Sequence, residues 1–109
     1  MTPRKVFIHP GEIVVTIAIA EKMYRNRDFG AWVMDCLKRY ISCDWGDMSE
    51  EDKAINNEAA LRMARESHGR VIAKYNNKEG EIMIITDSDE EHTIIVFREE
   101  RIWGLKKSL

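Results

Sequence analysis

The chain is poor in the residues that anchor the commonest site chemistries. Among its 109 residues are only two cysteines, three histidines and six glycines. Cys36 and Cys43 stand seven apart on one expected helix, about 10 Å of rise, which exceeds the reach of a disulfide. Two unbonded thiols fit a reducing compartment. His9, His68 and His92 fall in separate segments without the short spacing of a metal site, so neither metal nor cofactor is expected. The glycines are scattered, and none builds a phosphate loop or brackets a nucleophilic serine. The longest apolar run, IVVTIAIA from Ile13, is far short of the roughly 20 residues that cross a bilayer. The opening MTPRKVFIHPG also lacks the apolar stretch of a secretory signal. The expectation is a cytoplasmic protein without membrane contact.

An excess of positive charge is missing too. Seventeen Lys and Arg against nineteen Asp and Glu give a net charge of -2, so the basic field of a general nucleic-acid binder is absent and direct nucleic-acid binding is not expected. The sum hides an asymmetry: residues 1–43 carry seven basic and four acidic side chains, residues 44–66 three basic and seven acidic. What is present in quantity is apolar residue (44%) and charge (33%), the composition of one folded domain spanning residues 1–109.

Periodicity orders that domain. Lys5 to Ile8 and Glu12 to Val15 read as short extended pieces around His9-Pro10-Gly11. From Ile13 the β-branched run favours strand, yet Thr16 could cap a helix with Ile17, Ala20 and Tyr24 on one face, and the pattern leaves that choice open. After Asp28, residues Phe29, Trp32, Val33, Cys36, Leu37, Tyr40 and Ile41 form an apolar stripe at helical spacing. Trp32 stands near its centre, so Trp32→Ala is expected to cost ~3–5 kcal/mol. Ser42 to Met48 interrupts, and Ser49 with Asp52 predicts a new helix start. That helix runs to about Ser67 with Ile55, Ala59 and Met63 inward, ending at Gly69. The period then shortens: a strand from Val71 to Tyr75, a hairpin loop at 76–80, a strand from Glu81 to Thr86 covered on both faces, an acidic loop at 87–91, and a strand from His92 to Arg98. A tail from Ile102 follows. Helices first and a meander afterwards predict an α+β fold with helices packed on one face of a small antiparallel sheet.

The most unusual string is Asp44-Trp45-Gly46-Asp47, at a junction between two helices. As structure, Trp45 plugs the core, Gly46 takes a positive φ, and Asp47 or Ser49 caps the next helix. As function, Asp44, Trp45, Asp47, Glu50, Glu51 and Asp52 form an acidic knob suited to a basic protein surface, and Asp87, Asp89, Glu90 and Glu91 offer a second acidic patch. A third arrangement, Asp44, Asp47 and His92 around a divalent ion, would suit a small hydrolase.

The strings WGDMSEEDKAINNEA, RVIAKY, IIT and HTIIVF resemble a family of small proteins carried by bacterial plasmids, integrated elements and phages. The likeness spans roughly Val14 to Glu100. Arg39, Asp44, Trp45, Gly46, Asp47, Glu51, Asp52, Lys53 and Asn56 fall on its pattern, whereas Tyr40, Cys43 and Glu90 replace its histidine, glycine and arginine. Its context implies a non-enzymatic binding protein of a mobile element. An anti-defence inhibitor docking acids on a CRISPR nuclease comes first, and an accessory protein of plasmid maintenance or transfer second.

Overall fold

The computed structural model describes residues 8–66, 69–87 and 92–100. Its elements are strand β1 (Glu12–Val15), helices α1 (Ile17–Arg25), α2 (Arg27–Ile41) and α3 (Glu50–Glu66), strands β2 (Arg70–Asn77), β3 (Gly80–Asp87) and β4 (His92–Phe97), and a short turn of helix, α4 (Arg98–Glu100). The fold is α+β, with helices packed against one four-stranded sheet. Thr16 resolves the ambiguity after β1. Its backbone is extended and its hydroxyl accepts from the Ile19 N–H, so the chain leaves the strand and enters α1 at one residue. Asn26 does the same for α2 through the Phe29 N–H.

The sheet order is β1-β4-β3-β2. β2, β3 and β4 make the expected antiparallel meander, but β1 joins β4 in parallel, Glu12 opposite His92 and Val15 opposite Ile95. The sheet is therefore mixed rather than wholly antiparallel. A four-residue strand separated from its partner by three helices carries no directional signal in its side chains, because the alternation that sets the buried face is the same either way. The β2–β3 turn is tighter than the five-residue loop expected: Asn77 pairs with Gly80, and the Asn77 side chain accepts from the Glu79 N–H.

α1 and α2 bury Ile19, Phe29, Val33, Cys36, Leu37 and Tyr40 against Val71, Ala73, Tyr75, Ile82, Ile84 and Ile95. The α2 stripe faces the core as its spacing predicts. Trp32, however, sits at the rim, packed on Phe29 at 5.7 Å and only half-buried, so its truncation is less costly than a core position implies. Cys36 and Cys43 are not in a disulfide. Segment 5–7 and the tail from Ile102 lie outside the described residues; Ile8 is not in a strand.

Two helices turn differently from their apolar spacing. On α1 it is Ile19 that is buried, while Ile17 and Tyr24 are 79% and 90% exposed. On α3 Ile55 is exposed, and Asn56, Ala59 and Ala60 are the residues buried. The cause on α3 is a polar demand from β2, whose outer edge must be satisfied. Asn56 turns inward to donate to the Ile72 carbonyl at 2.7 Å, which rotates Ile55 to the surface.

Candidate functional site

The acidic string begins where α2 stops. Ser42 caps the helix and Cys43 adopts φ +64, the left-handed position that follows many helices. The Cys43 N–H donates to the Tyr40 carbonyl and the Asp44 N–H to the Arg39 carbonyl, closing the last turn. This reversal brings the Asp44 carboxylate onto Arg39 in a two-pronged pair, Nε to Oδ2 at 2.9 Å and Nη2 to Oδ1 at 3.2 Å. Hydrogen bonding from the guanidinium holds the Asp44 carboxyl below the usual carboxylate range. The same guanidinium lies 5.2 Å from the Tyr75 ring centre, and the Tyr75 hydroxyl donates to the Asp44 carbonyl.

Trp45 is only 2% exposed, edge-on to Tyr40, with its indole N–H donating to Asn57 at 2.8 Å. It plugs the core beneath the junction, and its ring offers no docking surface. Gly46 pairs with Lys74 in an isolated parallel bridge at φ +75. Asp47 then works with both backbone and side chain: its N–H donates to the Lys74 carbonyl at 2.9 Å, and its Oδ2 accepts from the Asn76 N–H at 2.8 Å. Together with Asn56 on Ile72, these contacts occupy the edge of β2 that would otherwise face solvent unpaired. Asp47 is thus an edge clamp. The α3 cap is Ser49, whose hydroxyl accepts from the Asp52 N–H at 3.1 Å.

Beyond that clamp, α3 presents Glu50, Glu51 and Asp52 in its first turn, all exposed, where their negative charge is favourable to the helix. Glu50 reaches Lys53 at 3.6 Å. Ile55 is 64% exposed. Helical spacing puts Glu51 and Asp52 one turn before it and Glu58 one turn after, so three carboxylates neighbour it along the helix. A groove of about 310 Å³ adjoins it, with Asp52, Ile55 and Asn56 on one wall and Arg70, Ile72, Lys74 and Met83 on the other.

Of the second acidic patch only Asp87 lies among the described residues. Asp87 pairs with Arg70 and His92 at the start of β2, whereas Asp47 clamps Asn76 near its end. Six residues of strand separate those positions by roughly 20 Å, so Asp47 and Asp87 do not share a site. Asp89, Glu90 and Glu91 lie outside the described residues. The same separation removes the hydrolase arrangement: Asp44 and Asp47 are committed at one end of the sheet and His92 stands at the other. Among the described residues no group of three or more His, Cys, Asp or Glu could hold a metal ion. A larger cavity of about 510 Å³ lies between α1, the β2–β3 turn and Phe97. Its Lys22 is held by Glu79 at 3.3 Å, and Glu81 by Arg98 at 3.4 Å without hydrogen-bond geometry. No helix among the described residues is long and apolar enough to cross a membrane.

Sequence reasoning missed Ile55 and Glu58, because apolar spacing assigns Ile55 to the core. The signal that could have found them is Asn56, an amide beside a strand edge that needs a donor. Comparison with known proteins found no matching family model, no matching curated protein and no matching solved structure.

Proposed function

We propose that this chain is a non-enzymatic binding protein that docks the outer face of α3 on a basic protein surface. The observation that carries the reading is Ile55, exposed on α3 with Glu51, Asp52 and Glu58 within one helical turn of it. An apolar anchor inside a charged rim is the anatomy of a protein interface, with the anchor supplying affinity and the rim steering the encounter. Glu50 extends the rim toward the helix start. Asp44, Trp45 and Asp47 support this face by fixing where α3 begins.

The resemblance of WGDMSEEDKAINNEA to proteins of plasmids, integrated elements and phages extends the proposal to an anti-defence role. A CRISPR nuclease, whose nucleic-acid channel is basic, is the partner of matching charge. The test is DNA cleavage by a panel of purified CRISPR nucleases with and without the protein. Inhibition of one of them, relieved by Ile55→Asp, supports the reading. Unimpaired cleavage by the whole panel removes the anti-defence role, and an Ile55→Asp variant that inhibits as well as wild type removes the α3 face.

A further inference from the structure

The sheet ends on two strands, β2 and β1, and the chain treats their outer edges differently. On the β2 side Gly46, Asp47 and Asn56 occupy the outward backbone groups of Ile72, Lys74 and Asn76. β1 carries no such clamp among the described residues. The Thr16 N–H donates to the Ile95 carbonyl, with Val15 opposite Ile95 in the parallel register. Successive residues of a strand turn their N–H and C=O to opposite sides, so Glu12, Val14 and Thr16 face β4 while Ile13 and Val15 face away from the sheet. Among the described residues nothing donates to or accepts from those four outward groups.

Proteins ordinarily blunt an open edge with lysine, proline, a bulge or a covering loop. The string Glu12-Ile13-Val14-Val15 has neither lysine nor proline. It offers three β-branched residues that favour pairing and one acid at its end. Ile13, which carries two of the four outward groups, is itself 40% exposed.

We propose that β1 pairs antiparallel with β1 of a second copy of this chain, across a two-fold axis at Val14, joining two four-stranded sheets into one. A two-fold contact must be self-complementary, and the outward groups meet that demand because they lie symmetrically about Val14. Ile13 exchanges both of its hydrogen bonds with the partner's Val15, and Val15 with the partner's Ile13, so every outward group of the two strands is used. Val14 meets the partner's Val14 as the close, non-hydrogen-bonded pair, with Cα atoms roughly 4.5 Å apart. Charge does not oppose the pairing. Glu12 falls opposite the partner's Thr16, and the two Glu12 residues are separated by four positions along the strands, roughly 13 Å, beyond a Debye length. The contact is small, so association is weak and sets in at high concentration. α3 packs at the β2 margin, so the dimer carries one α3 face at each end.

The test is sedimentation equilibrium of the intact chain from about 10 µM to about 0.5 mM, with amide hydrogen exchange at both ends of that range. The mass should rise from monomer toward dimer. Over the same range exchange at the Ile13 and Val15 amides should slow several-fold, while the Val14 amide, bonded to β4, keeps its rate. Ile13→Pro removes an outward donor and no bond to β4, so it should raise the dimer dissociation constant roughly tenfold or more. Should that variant fail to fold, the exchange rates of wild type decide alone. A chain that stays monomeric throughout overturns the proposal and leaves the edge to a strand of a different protein. A dimer whose Ile13 and Val15 amides exchange as in the monomer, or a folded Ile13→Pro that dimerises like wild type, overturns it by placing the contact elsewhere.

Discussion

Gly46 holds φ +75 directly against β2, and an added Cβ would meet the Lys74 carbonyl oxygen and the Tyr75 ring at about 2.5 Å. Neither neighbour can retreat, since Lys74 is in the sheet and Tyr75 is fixed by its bond to Asp44. Gly46→Ala should therefore cost more than ~2 kcal/mol, combining backbone strain with the clash, as urea denaturation will measure. Asp47→Ala removes one clamp on Asn76 and should cost ~0.5–1.5 kcal/mol in the same assay. Cys43 presents the opposite case. A residue with a Cβ occupies the left-handed position after α2, so Cys43→Gly should raise stability by up to about 1 kcal/mol. The structural duties of this string were partly legible. Gly46 reads as a positive-φ position from sequence alone, whereas Trp45 reads both as a core plug and as part of a docking surface, and its burial decides for the core. The assignment of Asp47 to a strand 29 residues away was not, because nothing local in SCDWGDM says which backbone needs an acceptor.

At the scale of elements, a chain of hydroxyls ties α2 to the sheet through the core. Tyr40 donates to Thr86 at 2.7 Å, the Thr86 and Thr93 hydroxyls bond at 2.6 Å, and Thr93 donates to the Pro10 carbonyl at 2.8 Å. Each hydroxyl has one proton, so the direction that satisfies all three runs from Tyr40 to Pro10. Tyr40→Phe takes the donor from one end and should cost ~1–2 kcal/mol, while shifting the amide resonances of β3 and β4 around Thr86 and Thr93. The elements themselves were readable where one period dominates: α2, with its long stripe, and the β2–β4 meander. They were misread where two demands compete. α3 carries Ile55 at core spacing, but the helix turns Asn56 inward onto the Ile72 carbonyl and leaves Ile55 outside. On α1, too, the apolar spacing misleads: Ile19 is inside and Ile17 and Tyr24 are outside.

The whole molecule keeps several ionisable groups neutral by burial, which sets its response to alkali. Burial pushes the Cys36 thiol up from its ordinary 9.0 to about 12, and raises the Tyr40 and Tyr75 phenols as well. An unfolded chain releases these protons at the ordinary values, so above about pH 9 the native state binds more protons and stability falls as pH rises toward 12. Denaturant midpoints should be lower at pH 10.5 than at pH 8, with Cys36→Ala reducing the difference, and native Cys36 should resist thiol reagents at pH 8. Charge is distributed differently from any of these buried groups: the acids of the 44–66 segment divide between those that hold the junction, Asp44 and Asp47, and those that face outward on α3. That division is the central claim, and one titration tests it. With a partner that the proposed cleavage panel identifies, Kd is measured at 0.05 and 0.3 M salt for wild type, Glu50→Lys/Glu51→Lys/Asp52→Lys and Ile55→Ala, with circular dichroism confirming folding. The account predicts that Ile55→Ala weakens binding roughly tenfold, and that the reversed variant binds more weakly still and loses the salt dependence of wild type. Folded variants that bind as tightly as wild type at both salt concentrations would contradict it.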